Sequence, residues 1–164
     1  MRKLLVLLIM ALVVTPTASA FITLSIAVTS GATVTAPVVT LTGVDQTKTF
    51  TIAVSEVYTG TTNTLGWKIT ASSTTLTSGA HTLPPLQVTA IARGTCTGTC
   101  VTPTNSITLP VALSTTAQSI YNAAANTGKG TWPLTGTFQI TYPANALPGT
   151  YSAVVTLATA EGPT

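Results

Sequence analysis

Residues 128–157 read GKGTWPLTGTFQITYPANALPGTYSAVVTL, and the fold is decided here. The stretch reads as two β-strands joined by a turn rich in Pro and Gly. In the second strand Tyr151, Ala153, Val155 and Leu157 fall on one side, and Ser152, Val154 and Thr156 on the other. That period of two belongs to a sheet with one buried face. Tyr151 follows Pro148-Gly149-Thr150, where a loop becomes a strand. A tyrosine there can sink its ring into the core and bond its hydroxyl back to the loop, the tyrosine corner of β-sandwiches. The expectation is an all-β chain. It would be a single antiparallel β-sandwich of immunoglobulin-like, Greek-key type with roughly seven to nine short strands.

Working outward, residues 21–28 (FITLSIAV) alternate, with Ile22, Leu24, Ile26 and Val28 sharing a face. So apolar a strand either caps its own sheet or is donated to a neighbouring subunit. Residues 33–41 read as a second strand that Pro37 confines to a sheet edge. Residues 42–46 form a turn, and 48–57 alternate again through Phe50, Ile52 and Val54. A Thr/Gly-rich loop at 58–66 leads to a strand that places Trp67, Ile69 and Ala71 together. Residues 72–85 read as a long connection, with turns at Ser78-Gly79 and Pro84-Pro85. Strands follow at 86–92, with Leu86, Val88 and Ala90 aligned, and at 106–111, with Ile107, Leu109 and Val111 aligned. Residues 114–125 read as a strand through Ile120 and Tyr121. Ala123-Ala124-Ala125 leaves a short helix as the alternative.

Charged residues make up 5% of the 164-residue chain and hydrophobic residues 45%, against about 25% charged in an average soluble domain. Threonine fills the gap, and its β-branched side chain suits the solvated face of a pleated sheet. The N-terminus explains much of the formal charge of +3. Arg2 and Lys3 precede an apolar run at 4–14, and Ala18-Ser19-Ala20 supplies small residues for cleavage: the three parts of a secretory signal peptide. The run is too short for the ~20 residues that span a bilayer. Residues 1–20 are expected to be the signal peptide and 21–164 the mature domain, with no membrane span. Lys48, Lys68, Arg93 and Lys129 then nearly balance Asp45, Glu56 and Glu161. Without a basic patch, nucleic acid is not an expected partner. Leu147-Pro148-Gly149-Thr150 superficially resembles a sortase signal, but Tyr151 stands where glycine is needed and no hydrophobic, basic tail follows.

Reactive chemistry is not expected. A nucleophilic triad needs a base, and the one imidazole is His81. Glycosidase chemistry needs paired carboxylates, while Asp45, Glu56 and Glu161 fall in separate elements. A lone histidine with few acids makes no ordinary metal site. The chain is expected to be no enzyme and to hold no metal or cofactor. Cys96 and Cys100 flank Thr-Gly-Thr; in an exported chain they form a disulfide, a local staple on a protruding hairpin.

Three motifs in order resemble the WxL domain of Gram-positive surface proteins. They are Gly66-Trp67-Lys68-Ile69-Thr70, then Gly128-Lys129-Gly130-Thr131-Trp132-Pro133-Leu134 with its literal Trp-x-Leu, then the run from Tyr142-Pro143-Ala144 to Gly149-Thr150-Tyr151. The likeness covers most of residues 21–163. It is a divergent likeness, because the closing strand reads Val155-Thr156-Leu157-Ala158-Thr159-Ala160, without the family's tryptophan. The resemblance implies non-covalent attachment to peptidoglycan.

The expected function is therefore a secreted, non-catalytic surface protein held to peptidoglycan or another cell-wall polymer. Trp67, Trp132 and Tyr151 are the aromatic wall-binding candidates, each with a core reading beside it. The alternative is a subunit of a surface fibre or pilus, self-associating or meeting other surface proteins by donating Ile22, Leu24, Ile26 and Val28. A third reading is a threonine-rich coat carrying O-linked sugars.

Overall fold

A computed structural model describes residues 20–28, 38–58 and 64–162. The signal peptide expected at 1–20 lies outside the described residues apart from Ala20. So do positions 33–37 of the expected second strand and 59–63 of the following loop.

The chain is all-β, with no helix among the described residues. In chain order the strands are β1 (Phe21–Val28), β2 (Val39–Thr40), β3 (Gln46–Tyr58), β4 (Trp67–Ser73), β5 (Thr77–Ser78) and β6 (His81–Thr82). They continue as β7 (Gln87–Arg93), β8 (Val111–Ala112), β9 (Gln118–Ala123), β10 (Gly130–Tyr142) and β11 (Gly149–Glu161). One sheet runs β2-β1-β11-β4-β9, with the β5-β6 hairpin attached to β11; the other runs β3-β10-β7-β8.

Two-residue periodicity builds both sheets. Along β10, Trp132, Leu134, Phe138, Ile140 and Tyr142 are buried, while Pro133 and Thr135 are exposed. β4 buries Trp67, Ile69, Ala71 and Ser73, and β11 buries Tyr151, Ala153 and Val155. These inward rows from the two sheets merge in one hydrophobic core. Within it Phe50 and Phe138 stack with ring centroids 5.6 Å apart, and Trp67 meets Tyr121 at 5.8 Å.

Several expectations need correction. The strands are not all short, because β3, β10 and β11 each run 13 residues. Nor is the pairing wholly antiparallel: β1 lies parallel to β11, from Ile22 opposite Gly149 to Val28 opposite Val155. The expected strand at 106–111 shrinks to β8. Asn105 Oδ1 accepts the Ile107 N–H (3.3 Å) and the Asn122 N–H (3.0 Å), so side-chain bonds replace a ladder. The connection at 72–85 contains the β5-β6 hairpin, with Leu76 and Leu83 buried beside it and bonded through their backbones at 3.0 Å. In β7 the register shifts, with Thr137 opposite Ala90 but Phe138 opposite Val88. Thr89 is the extra residue of a β-bulge, and it turns Ala90 outward, away from the face it was expected to share. Residues 118–123 form a strand, the reading through Ile120 and Tyr121.

Candidate functional site

The three aromatic candidates are core residues, and each polar handle is bound to a backbone carbonyl. Trp67 is 2% exposed, and its indole N–H donates to the Gly128 carbonyl at 3.0 Å. Gly128 has φ +67°, and a Cβ there would lie 2.6 Å from the Ala123 Cβ and 2.7 Å from the Trp67 indole nitrogen. Only a glycine fits at that backbone, which closes over the ring. Trp132 donates to the Lys129 carbonyl at 2.9 Å, and the Arg93 guanidinium lies 5.9 Å from its ring centroid, within cation–π range. Tyr151 makes the expected corner, donating from its hydroxyl to the Leu147 carbonyl at 3.0 Å. A sugar ring stacks on an open aromatic face, and these buried rings offer none; their energy goes into packing.

Of the donor-strand candidates, Ile22 is fully buried, and β1 is paired inside its own sheet with both β11 and β2. The side chains of Leu24, Ile26 and Val28 lie outside the described set.

Cys96 and Cys100 are disulfide-bonded. Their loop is not the protruding hairpin expected from the sequence; it lies along the start of β10. Thr97 and Thr131 exchange backbone hydrogen bonds of 3.1 and 2.9 Å, and the Val101 N–H donates to the Lys129 carbonyl at 3.0 Å.

His81 is exposed on the β5-β6 hairpin, beside a cleft of about 280 Å³ shared with Asn145 and Tyr151. Asp45 has a structural task, accepting the Ala144 N–H at 2.7 Å. Among the described residues no group of three His, Cys, Asp or Glu side chains could hold a metal. No helix among them is long and apolar enough to cross a membrane.

The larger concavity is one that residue types alone did not single out. β11 leaves β4 at Val155-Ser73 and pairs with β5 at Ser152-Thr77. Between these pairings Thr74 splices the sheet: its N–H donates to the Val154 carbonyl at 3.0 Å, and its Oγ1 accepts the Val154 N–H at 2.9 Å. The splice opens a groove of about 500 Å³ lined by Thr74, Thr75, Thr77, Thr115, Ser152, Ala153 and Val154. Five of the seven are hydroxyl residues and none is charged. Most of the exposed lining is apolar, with hydroxyls set in it. Hydroxyls donate and accept at once, so the groove suits a neutral ligand that combines apolar faces with hydroxyl and amide groups.

The chain matches no protein-family model, and comparison with curated proteins and with solved structures finds no match.

Proposed function

We propose that the chain is an exported, non-catalytic surface protein, a divergent WxL-like module that adheres non-covalently to cell-wall peptidoglycan through the hydroxyl-lined groove. In this reading the two sheets form a β-sandwich of immunoglobulin-like, Greek-key type. The observation that carries it is the groove itself: an uncharged, mostly apolar lining with hydroxyl residues set beside Ala153 and Val154, on a chain whose charges are few. Peptidoglycan presents hydroxyl and acetamido groups in an alternating glycan strand, which such a wall can hydrogen-bond without ionic help. Aromatic stacking plays no part in it.

The test is sedimentation of the secreted protein with purified peptidoglycan. The expected result is co-sedimentation that survives a ~1 M salt wash, because a binding mode without charge pairs is not screened. Thr77→Val with Ser152→Ala should then weaken binding about tenfold, a loss of about 1.4 kcal/mol. Protein left in the supernatant at low salt would overturn the reading.

A second reading is a fibre subunit exchanging β1 between copies. What supports it is the weak outer side of β1, which has only two register pairs to β2, against seven to β11 on its inner side. Exchange would therefore have to open one full ladder. Deleting residues 21–29 should then abolish polymers and leave an unstable monomer; an unchanged monomer excludes it.

A further inference from the structure

Among the described residues the two sheets end in five outer strands, and four of these are poor templates for another chain. β2, β6 and β8 are two residues long, and Pro110 stands directly before β8. The open side of β9 is already taken. The Ser106 N–H donates to Asn122 Oδ1 at 2.8 Å, the Asn122 N–H to Asn105 Oδ1 at 3.0 Å, and the Ala124 N–H to the Thr104 carbonyl at 3.0 Å. β3 differs. It spans Gln46–Tyr58 and pairs over its whole length with β10, its only partner strand among the described residues. A strand paired on one side turns a row of N–H and C=O groups outward, and natural proteins rarely leave a long one unguarded.

The geometry points to a second copy of this chain as the occupant of that edge, with β3 pairing antiparallel to β3 about Ile52. The sequence of the strand is self-complementary in that register. Lys48 and Glu56, its only charged residues, each stand four positions from Ile52. Ile52 opposite Ile52 of the second copy therefore sets each Lys48 position against the other copy's Glu56 position, and Phe50 against Val54. These positions share one parity. Their β10 partners are Ile140 for Lys48, Phe138 for Phe50, Gly136 for Ile52, Leu134 for Val54 and Trp132 for Glu56, all buried. The pairing thus joins the two core faces edge to edge, with a charge pair at each end. On the other face Thr49 meets Ser55, and Thr51 meets Ala53.

Other registers lose this match. A slip of two residues sets Lys48 against Val54 or Tyr58, and a slip of one turns a core row against a solvent row. Parallel pairing in register sets Lys48 against Lys48 and Glu56 against Glu56. Cross-strand opposite charges stabilise a pair and like charges oppose it, so one arrangement is selected. A competing reading makes Lys48 and Glu56 guards that keep the edge unpaired. The two readings predict opposite responses to mutation.

The experiment is sedimentation equilibrium of the secreted protein, with circular dichroism to confirm that each variant is folded. Lys48 is exposed, so its replacement leaves the core intact. The expected result is a dimer for the natural sequence. Lys48→Glu and Glu56→Lys should each weaken it about tenfold or more, because each creates two like-charge pairs per dimer. The double variant K48E/E56K restores opposite charges and should recover the affinity to within about threefold. A monomer at about 100 µM would overturn the inference, that being a weak limit for a specific interface. So would a dimer indifferent to the single reversals, a double swap that fails to rescue, or an uncharged K48T/E56T variant that associates more tightly than the natural protein. None of these outcomes touches the groove, so wall binding stands or falls separately.

Discussion

Tyr142 closes β10 with its ring fully buried, and its hydroxyl has no hydrogen-bond partner among the described residues. A buried donor without a partner forfeits its bond to water, at a cost of about 1–3 kcal/mol. Tyr142→Phe removes the hydroxyl and leaves a void of roughly one oxygen atom, which costs only a few tenths of a kcal/mol. The variant should therefore be more stable than the natural protein by about 1–2 kcal/mol, raising Tm by several degrees in a domain of this size. Alkaline pH gives an independent signature. Burial pushes the Tyr142 phenol up to about 12, so the native state holds its proton more tightly than the unfolded chain, whose tyrosine titrates near 10. The stability linked to this group is fully present below pH 10 and is lost as pH rises through about 12. Two pH units correspond to about 2–3 kcal/mol, so the advantage of the variant should widen to about 4 kcal/mol. Burial also raises the Tyr121 phenol, against the lowering influence of Arg93, and lysines titrate in the same range. Both effects cancel in the difference between the two proteins. Urea unfolding at pH 8, 10 and 12 measures that difference. A variant less stable at pH 8, or a gap that stays constant to pH 12, would refute the reasoning.

Gly128→Ala should cost about 2–4 kcal/mol, since it combines a positive φ with a methyl driven into Ala123 and the Trp67 indole; a red shift of tryptophan emission would report the loosened ring. Asn122→Ala should cost about 1–3 kcal/mol in chemical unfolding, because the buried Asn122 amide accepts the Ser106 N–H and donates to the Ser106 hydroxyl, and both bonds are lost. It should also speed amide exchange in β9, whose edge it uncovers. Cys96→Ser with Cys100→Ser should cost no more than about 2 kcal/mol, the chain-entropy value for so small a loop. The accompanying loss of exchange protection should be confined to Thr97, Val101 and Thr131.

Where one face is buried and the other wet, alternation in the sequence located the strand and chose its inward row. β4, β10 and β11 were legible for that reason, and so was the corner at Tyr151. Alternation is silent on partners, so nothing in FITLSIAV revealed that β1 runs parallel to β11. It also fails where side chains capture the backbone. Ile107, Leu109 and Val111 align on paper, yet Asn105 and Asn122 hold that segment as a cover over β9. β9 escaped a clean pattern because its register against β4 shifts, with Ile69 opposite Tyr121 but Thr70 opposite Ser119, so that Ile120 is an extra residue. With Asn122 bonded to Ser106, Ile120, Tyr121, Asn122 and Ala123 are buried in succession. The groove was hidden for another reason. Its threonines are ordinary strand and loop residues, and only the splice at Thr74 gathers them.

The ladder between β1 and β11 joins residues on either side of nearly everything else in the chain, Ile22 to Gly149 at one end. β11 is also the strand that lies between β1 and β4. A chain emerging from its N-terminal side therefore has no complete larger sheet to settle into until its closing strand arrives. That sheet is joined late, when β11 links the β1-β2 and β4-β9 pairs, and contacts of such long sequence separation form slowly. Export as an unfolded thread, which the proposed function requires, meets no obstacle from a larger sheet that waits for β11.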